Sequence, residues 1–144
     1  MSNERNIDPL SALILILSIV GILMLTIGDF GNFYYPGYGY RYSCLSCEYS
    51  TIGDLIAQIF ILILLIIQVV IALNDLLPQR FVSMDLTKYG IIIAALTLVF
   101  AIIGGVFFAI AYEEYEWAFG IGFYGGAVGG ILNLILFYLK QKNQ

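Results

Sequence analysis

The sequence predicts an all-α fold, a four-helix transmembrane bundle carrying a small extracytoplasmic tyrosine-rich loop, and three observations lead there. The chain is 61% hydrophobic and 11% charged over 144 residues, with a mean hydropathy of +0.95, whereas an ordinary soluble domain is roughly half apolar. Four apolar runs, at about 10–28, 52–74, 89–112 and 118–139, each approach the ~20 residues a helix needs to cross ~30 Å of hydrocarbon. None of them holds a lysine or arginine. Outside the runs the basic residues are unequally shared: Arg5, Arg80, Lys88, Lys140 and Lys142 fall on one side of an alternating topology, Arg41 alone on the other. The positive-inside rule then puts both termini and the 75–88 loop in the cytoplasm, and loops 29–51 and 113–117 outside, with the plasma membrane as the expected location. Residues 1–144 are read as one integral membrane domain.

Each element has its own signal. Helix 1 opens at "DPL", where Asp8 can cap free amides and Pro9 suits the first helical position. Its apolar run exceeds the core of a signal peptide and is expected to be retained. Helix 2 follows "YSTIGD", with Ser50 or Thr51 as cap and Asp54 at the positive end of the helix dipole, and it stops before Pro78. Helix 3 is expected after Asp85 or Thr87 and ends at "YEEYEW". So short a connection makes helices 3 and 4 antiparallel neighbours. Thr97, Ala101, Gly105 and Ala109 recur every fourth residue in helix 3, as do Ala118, Gly122, Gly126 and Gly130 in helix 4, with Gly125 and Gly129 alongside. Small-residue ridges let backbones approach closely in lipid, where van der Waals contact drives association. They are read as the packing of helix 3 on helix 4, with a partner or second copy as the alternative.

Helix 2 carries a polar stripe. Asp54, Gln58, Ile61, Leu65, Gln68, Ala72 and Asp75 fall within one narrow arc at 100° per residue, and polar groups at membrane depth face protein or water. Asp54, Gln58 and Gln68 are therefore a candidate intramembrane polar face, serving interhelical hydrogen bonds or lining a polar path.

In the stretch "YYPGYGYRYSCLSCEYS", Tyr34, Tyr35, Tyr38, Tyr40, Tyr42 and Tyr49 join Tyr112, Tyr115 and Trp117 at the outer membrane edge, a zone both residue types prefer. Pro36 and Gly37 match the centre of a type II turn, and Tyr38, Tyr40 and Tyr42 alternate as on one face of a strand. A small β-hairpin or compact cap is expected. Tyr35, Tyr38, Tyr40, Tyr42 and Trp117, with the acidic rim of Glu113, Glu114 and Glu116, form the candidate outer interaction surface.

Several chemistries are excluded. No histidine is present, which removes Ser-His-Asp and Cys-His pairs. Two cysteines without histidine cannot complete a zinc site, and the acidic run lacks the ligand spacing of a calcium loop, so no metal is expected. A net charge of −4 without a basic run argues against nucleic acid. Cys44 and Cys47, in an outer loop, can form a local disulfide or a redox-active pair.

Four helices, cytoplasmic termini and an outward CxxC before helix 2 resemble the DsbB family of quinone-linked disulfide oxidases. That resemblance implies that Cys44 and Cys47 pass electrons to quinone, the one cofactor considered. The longer first outer loop with its Cys pair and β element, the small second outer loop and the glycines of the last two helices resemble tetraspan proteins of the claudin type. That resemblance implies architecture alone. The leading expectation is a non-enzymatic structural or accessory membrane protein, in the lipid bilayer as a homo-oligomer or within a larger complex. The alternatives are a thiol-disulfide redox protein and an oligomeric channel or transporter.

Overall fold

The computed structural model describes residues 8–47, 50–77, 79, 82, 84 and 86–143. Arg5, Glu48, Tyr49, Pro78, Arg80 and Asp85, which enter the sequence reading, lie outside the described residues. The elements run α1 (Pro9–Ile27), β1 (Gly31–Tyr35), β2 (Gly39–Ser43), α2 (Ile52–Leu76), α3 (Thr87–Ala111), β3 (Glu116–Phe119) and α4 (Ile121–Lys142). All four helices are long and apolar enough to cross a membrane. The Asp8 carboxylate caps α1, accepting from the Leu10 amide at 3.1 Å and the Ser11 hydroxyl at 2.8 Å.

The helices close a ring in which α1 and α3 each pack on α2 and α4. Their directions alternate. A Cβ on Gly28, just past α1, would lie 3.1 Å from Ile121 at the start of α4; one on Gly53, opening α2, would lie 3.0 Å from Phe107 near the end of α3. Both β segments therefore share one end of the bundle. At the other, the first turn of α3 meets the last turns of α4, where a Cβ on Gly90 would strike the Phe137 ring at 2.4 Å.

β1 and β2 form the expected hairpin, pairing Gly31 with Ser43 through Tyr35 with Gly39. The turn is closed by the Tyr38 amide donating to the Tyr35 carbonyl at 3.0 Å, and Gly37 sits at φ +87°, the left-handed value that a type II turn requires at its third residue. Tyr38 belongs to this turn, which corrects the expected alternation: Tyr40 and Tyr42 share a strand face, and Tyr34, opposite Tyr40, completes it.

The second correction concerns the short 113–117 loop and the start of helix 4. Glu116–Phe119 is a third strand pairing antiparallel with β1, so Ala118 is extended, not helical, and α4 starts at Ile121. Trp117 and Phe119 suit a strand that lays large rings on a packed surface, and the exposed edge of β1 offers free backbone groups. Beyond β3, the Gly120 amide donates to the Phe30 carbonyl at 3.0 Å and the Gly122 amide to that of Asp29 at 2.8 Å.

The small residues divide among several neighbours. On α3, Ala101 and Gly105 are buried and Ala109 half-buried; a Cβ on Gly105 would meet Phe123 of α4 at 2.7 Å. On α4, Gly126 faces Ile61 of α2 and Ala101 of α3, and Gly130 faces Leu98 of α3. Gly122 and Gly125 instead face Leu25 and Gly21 on α1, where a Cβ on Gly21 would lie 3.4 Å from the Gly125 carbonyl. A Cβ on Gly129 would meet nothing within 4 Å.

Two apolar layers fill the bundle, one around Leu25, Phe30, Leu65 and Phe108 beneath the sheet and one around Ile14, Ile71, Ala94 and Phe137 toward the opposite end. Between them lies a polar layer. Ser18, Gln68, Thr97 and Asn133, one from each helix, are all 0% exposed, while Ile16, Ile102 and Val106 turn outward with more than half their surface free.

Candidate functional site

The sheet lies over the helix ends because its two faces differ. Gly31, Phe33 and Tyr35 alternate onto one face, where the Phe33 ring stacks on Tyr112 at 3.9 Å and a Cβ on Gly31 would strike Phe108 at 2.5 Å. Tyr34 and Tyr40 pack edge to face at 5.3 Å on the other, and with Tyr42 they are exposed. Beyond Phe33 the hairpin tip separates from the turn that follows α3. The gap is a cleft of about 440 Å³ lined by Phe33, Tyr35, Tyr38, Arg41, Tyr112 and Tyr115. Ring follows ring along its wall: Tyr38 to Tyr35 at 5.2 Å, Tyr35 to Tyr115 at 5.5 Å, Tyr115 to Phe33 at 5.7 Å. The Arg41 guanidinium lies over the Tyr38 ring, 5.9 Å from its centroid. Burial, with the nearby negative charge of Asp54 as the lesser cause, pushes the Tyr112 hydroxyl up to about 12, so it stays a neutral donor.

Cys44 and Cys47 form a disulfide with Cα atoms 5.0 Å apart. Ser50 clasps this turn, accepting from the Cys44 amide at 3.0 Å and donating to its carbonyl at 2.7 Å. The preceding residue, Ser43, donates to the Asp54 carboxylate and accepts from the Gln58 side-chain amide at 3.3 Å. Ser43, Asp54 and Gln58 are fully buried, so the hairpin is pinned to α2 by polar contacts away from solvent. Asp54 Oδ1 and Gln58 Oε1 have no hydrogen-bond partner among the described residues.

Midway down the bundle, Asn133 donates to Gln68 and, at 2.9 Å, to Ser18, while Gln68 donates to Thr97 at 2.7 Å. Ile61 and Leu65, both 0% exposed, close the axis between this layer and Gln58. The polar stripe of α2 is thus interrupted by an apolar plug. At the far end Lys140 pairs with Asp75 and lies 3.8 Å from the Asp8 carboxylate.

Asp54, Gln58 and Gln68 therefore sit on the inward face of α2 in two separate clusters, neither of which contains the cysteines. Tyr35 and Tyr38 line the cleft, whereas Tyr40 and Tyr42 face away from it. Glu113, Glu114 and Glu116 are exposed, and Trp117 packs edge-on against Phe108 at 6.0 Å. Ser18, Ser43, Asn133 and Lys140 were missed as contributors. Asn133 and Ser18 interrupt apolar runs, which is the signal that could have found them.

Compared with known proteins, the chain matches no family model, no curated protein and no solved structure.

Proposed function

We propose that this chain is an integral membrane protein, a four-helix transmembrane bundle with the sheet and cleft on its outer side and both termini in the cytoplasm, acting as a non-enzymatic structural or accessory subunit. The observation that carries this reading is the inverted distribution of polarity. Aliphatic side chains cover the outside of the bundle while one polar residue from each helix meets at its centre, the arrangement expected where hydrocarbon is the solvent. Asp54 and Asp75, buried near the two ends of α2, are separated by about 32 Å of helix at ~1.5 Å per residue, close to the ~30 Å of a hydrocarbon core.

Lateral association is assigned to the α1–α4 side. A groove of about 150 Å³ runs there between Leu17, Val20, Met24, Tyr124, Val128 and Leu132, floored by Gly21, Gly125 and Gly129. The bundle's own packing occupies the space beside Gly126, and it leaves that beside Gly129 open. The test is subunit counting by single-molecule photobleaching in a reconstituted bilayer. The expected result is an oligomer that Gly129→Leu dissociates without unfolding, while Gly126→Leu unfolds the bundle. A wild-type monomer, or an oligomer indifferent to Gly129→Leu, would overturn the assignment.

A further inference from the structure

The polar contacts that pin the hairpin to α2 leave two acceptors over. Ser43 has a single hydroxyl proton, which it donates to Asp54 Oδ2, so the Gln58 amide turns its N–H side to the same oxygen, at 3.3 Å. Asp54 Oδ1 and Gln58 Oε1 are thereby left without a donor among the described residues. The two side chains stand one turn apart on α2, bracket one hydroxyl, and are 0% exposed. Buried polar atoms are ordinarily paired, and a buried carboxylate ordinarily has a cation beside it. No lysine or arginine among the described residues pairs with Asp54. The amides that open α2 offset part of its charge through the helix dipole, but Gln58 lies a full turn further in, beyond their reach.

We propose that Asp54 Oδ1 and Gln58 Oε1 are ligands of a buried site for a small alkali cation, beneath the hairpin at the first turns of α2. One carboxylate cancels one positive charge, so a monovalent ion leaves the site neutral. A divalent ion such as calcium would leave a net charge buried, and it takes about six to eight oxygen ligands, several of them carboxylate. A water molecule would supply donors to both oxygens and leave the charge of Asp54 uncompensated. Ser50 is half-buried and its hydroxyl lies 3.3 Å from that of Ser43, so the cluster is one side chain from the surface. Bound there, the cation holds Asp54 and Gln58 in the positions that grip Ser43, and so strengthens the joint between sheet and helices.

The test is thermal unfolding of the full chain in a nonionic detergent at neutral pH, titrated with sodium chloride or potassium chloride against choline chloride at constant ionic strength. Wild type is compared with Asp54→Asn, which keeps the shape of the carboxylate without its charge, and with Gln58→Met, which keeps the length of the side chain without its acceptor. A cation that binds only the folded chain stabilises it with its occupancy. The expected result is a saturable rise of several degrees with an alkali cation over choline, abolished in Asp54→Asn. In Gln58→Met the same rise should need at least about tenfold more cation. That second variant keeps the test decisive if the aspartate variant folds poorly. Equal effects of sodium, potassium and choline would show ionic screening alone, and a rise undiminished in both variants would place the ion elsewhere; either overturns the proposal. So does an infrared band of a protonated carboxylic acid, present in saturating sodium and removed by Asp54→Asn, because a proton then stands where the cation is proposed.

Discussion

The side-chain amide of Asn133 on α4 donates to the hydroxyl of Ser18 on α1 at 2.9 Å, across 115 residues of sequence. The same amide group reaches Gln68 of α2, which in turn donates to Thr97 of α3. Four helices are thereby held in one register at one level. In the bilayer proposed for this bundle, apolar side chains select no such register, because lipid tails match them in polarity, whereas a displaced polar group would be left unpaired. Each such bond in a membrane bundle contributes about 0.6 kcal/mol on average and at most about 1.7.

Asn133→Leu should therefore destabilise the bundle by about 1–3 kcal/mol, since it removes two donated bonds and strands the Gln68 acceptor in an apolar layer. Reversible unfolding in mixed micelles gives the number. Stability equal to or above wild type would mean that the Asn133 carbonyl, which has no partner among the described residues, already offsets what the amide contributes.

At the opposite end from the sheet, Lys140 is 7% exposed against Asp75 at 6%. Removing the Lys140 cation takes compensating charge away from both Asp75 and Asp8, and breaking a buried ion pair from one side costs more than the pair itself contributes. Lys140→Met is expected to cost about 3 kcal/mol, and adding Asp75→Asn should restore a large part of it. Additive losses in the double variant would show that the two side chains act independently.

The helices were legible in the sequence because a twenty-residue apolar run has few other uses, and α2's inward face was legible because its polar residues recur at helical spacing. The hairpin followed from Pro36 and Gly37. What could not be read was partnership. β3 is four residues of unremarkable strand sequence next to an apolar run, and only the free edge of β1 turns it into a strand. Likewise, the α4 glycines announce close packing but not with which helix, and the structure sends Gly125 to α1 and Gly130 to α3. The cleft was invisible for the same reason. Tyr35 and Tyr115 lie eighty residues apart, and their ring contact at 5.5 Å depends on where the sheet sits on the bundle.

The Cys44–Cys47 disulfide closes a very short loop already held by Ser50. Loop-closure entropy for so few residues gives about 2 kcal/mol. Replacing both cysteines by serine is expected to lower stability by about that amount and to leave the four helices assembled, as read by thermal unfolding with helical circular dichroism. A Cys47→Ala variant that instead traps another protein through Cys44 as a mixed disulfide would move the pair from staple to redox centre.

Tyr112 offers a pH signature of the joint between sheet and helices. An ordinary tyrosine loses its proton near 10, whereas burial beneath Phe33, with the negative charge of Asp54 nearby, pushes the Tyr112 hydroxyl up to about 12. Between those values the folded chain keeps a proton that the unfolded chain has released. The contribution of Tyr112 is therefore complete below about pH 10 and is lost as the pH rises through about 12. Tyr112→Phe keeps the ring stack and removes the titrating group. Exposed tyrosines titrate alike in both proteins, so the difference between the two stability curves isolates Tyr112. Wild type should fall more steeply than Tyr112→Phe above pH 10, and parallel curves across that window would show that the hydroxyl is not held from water at all.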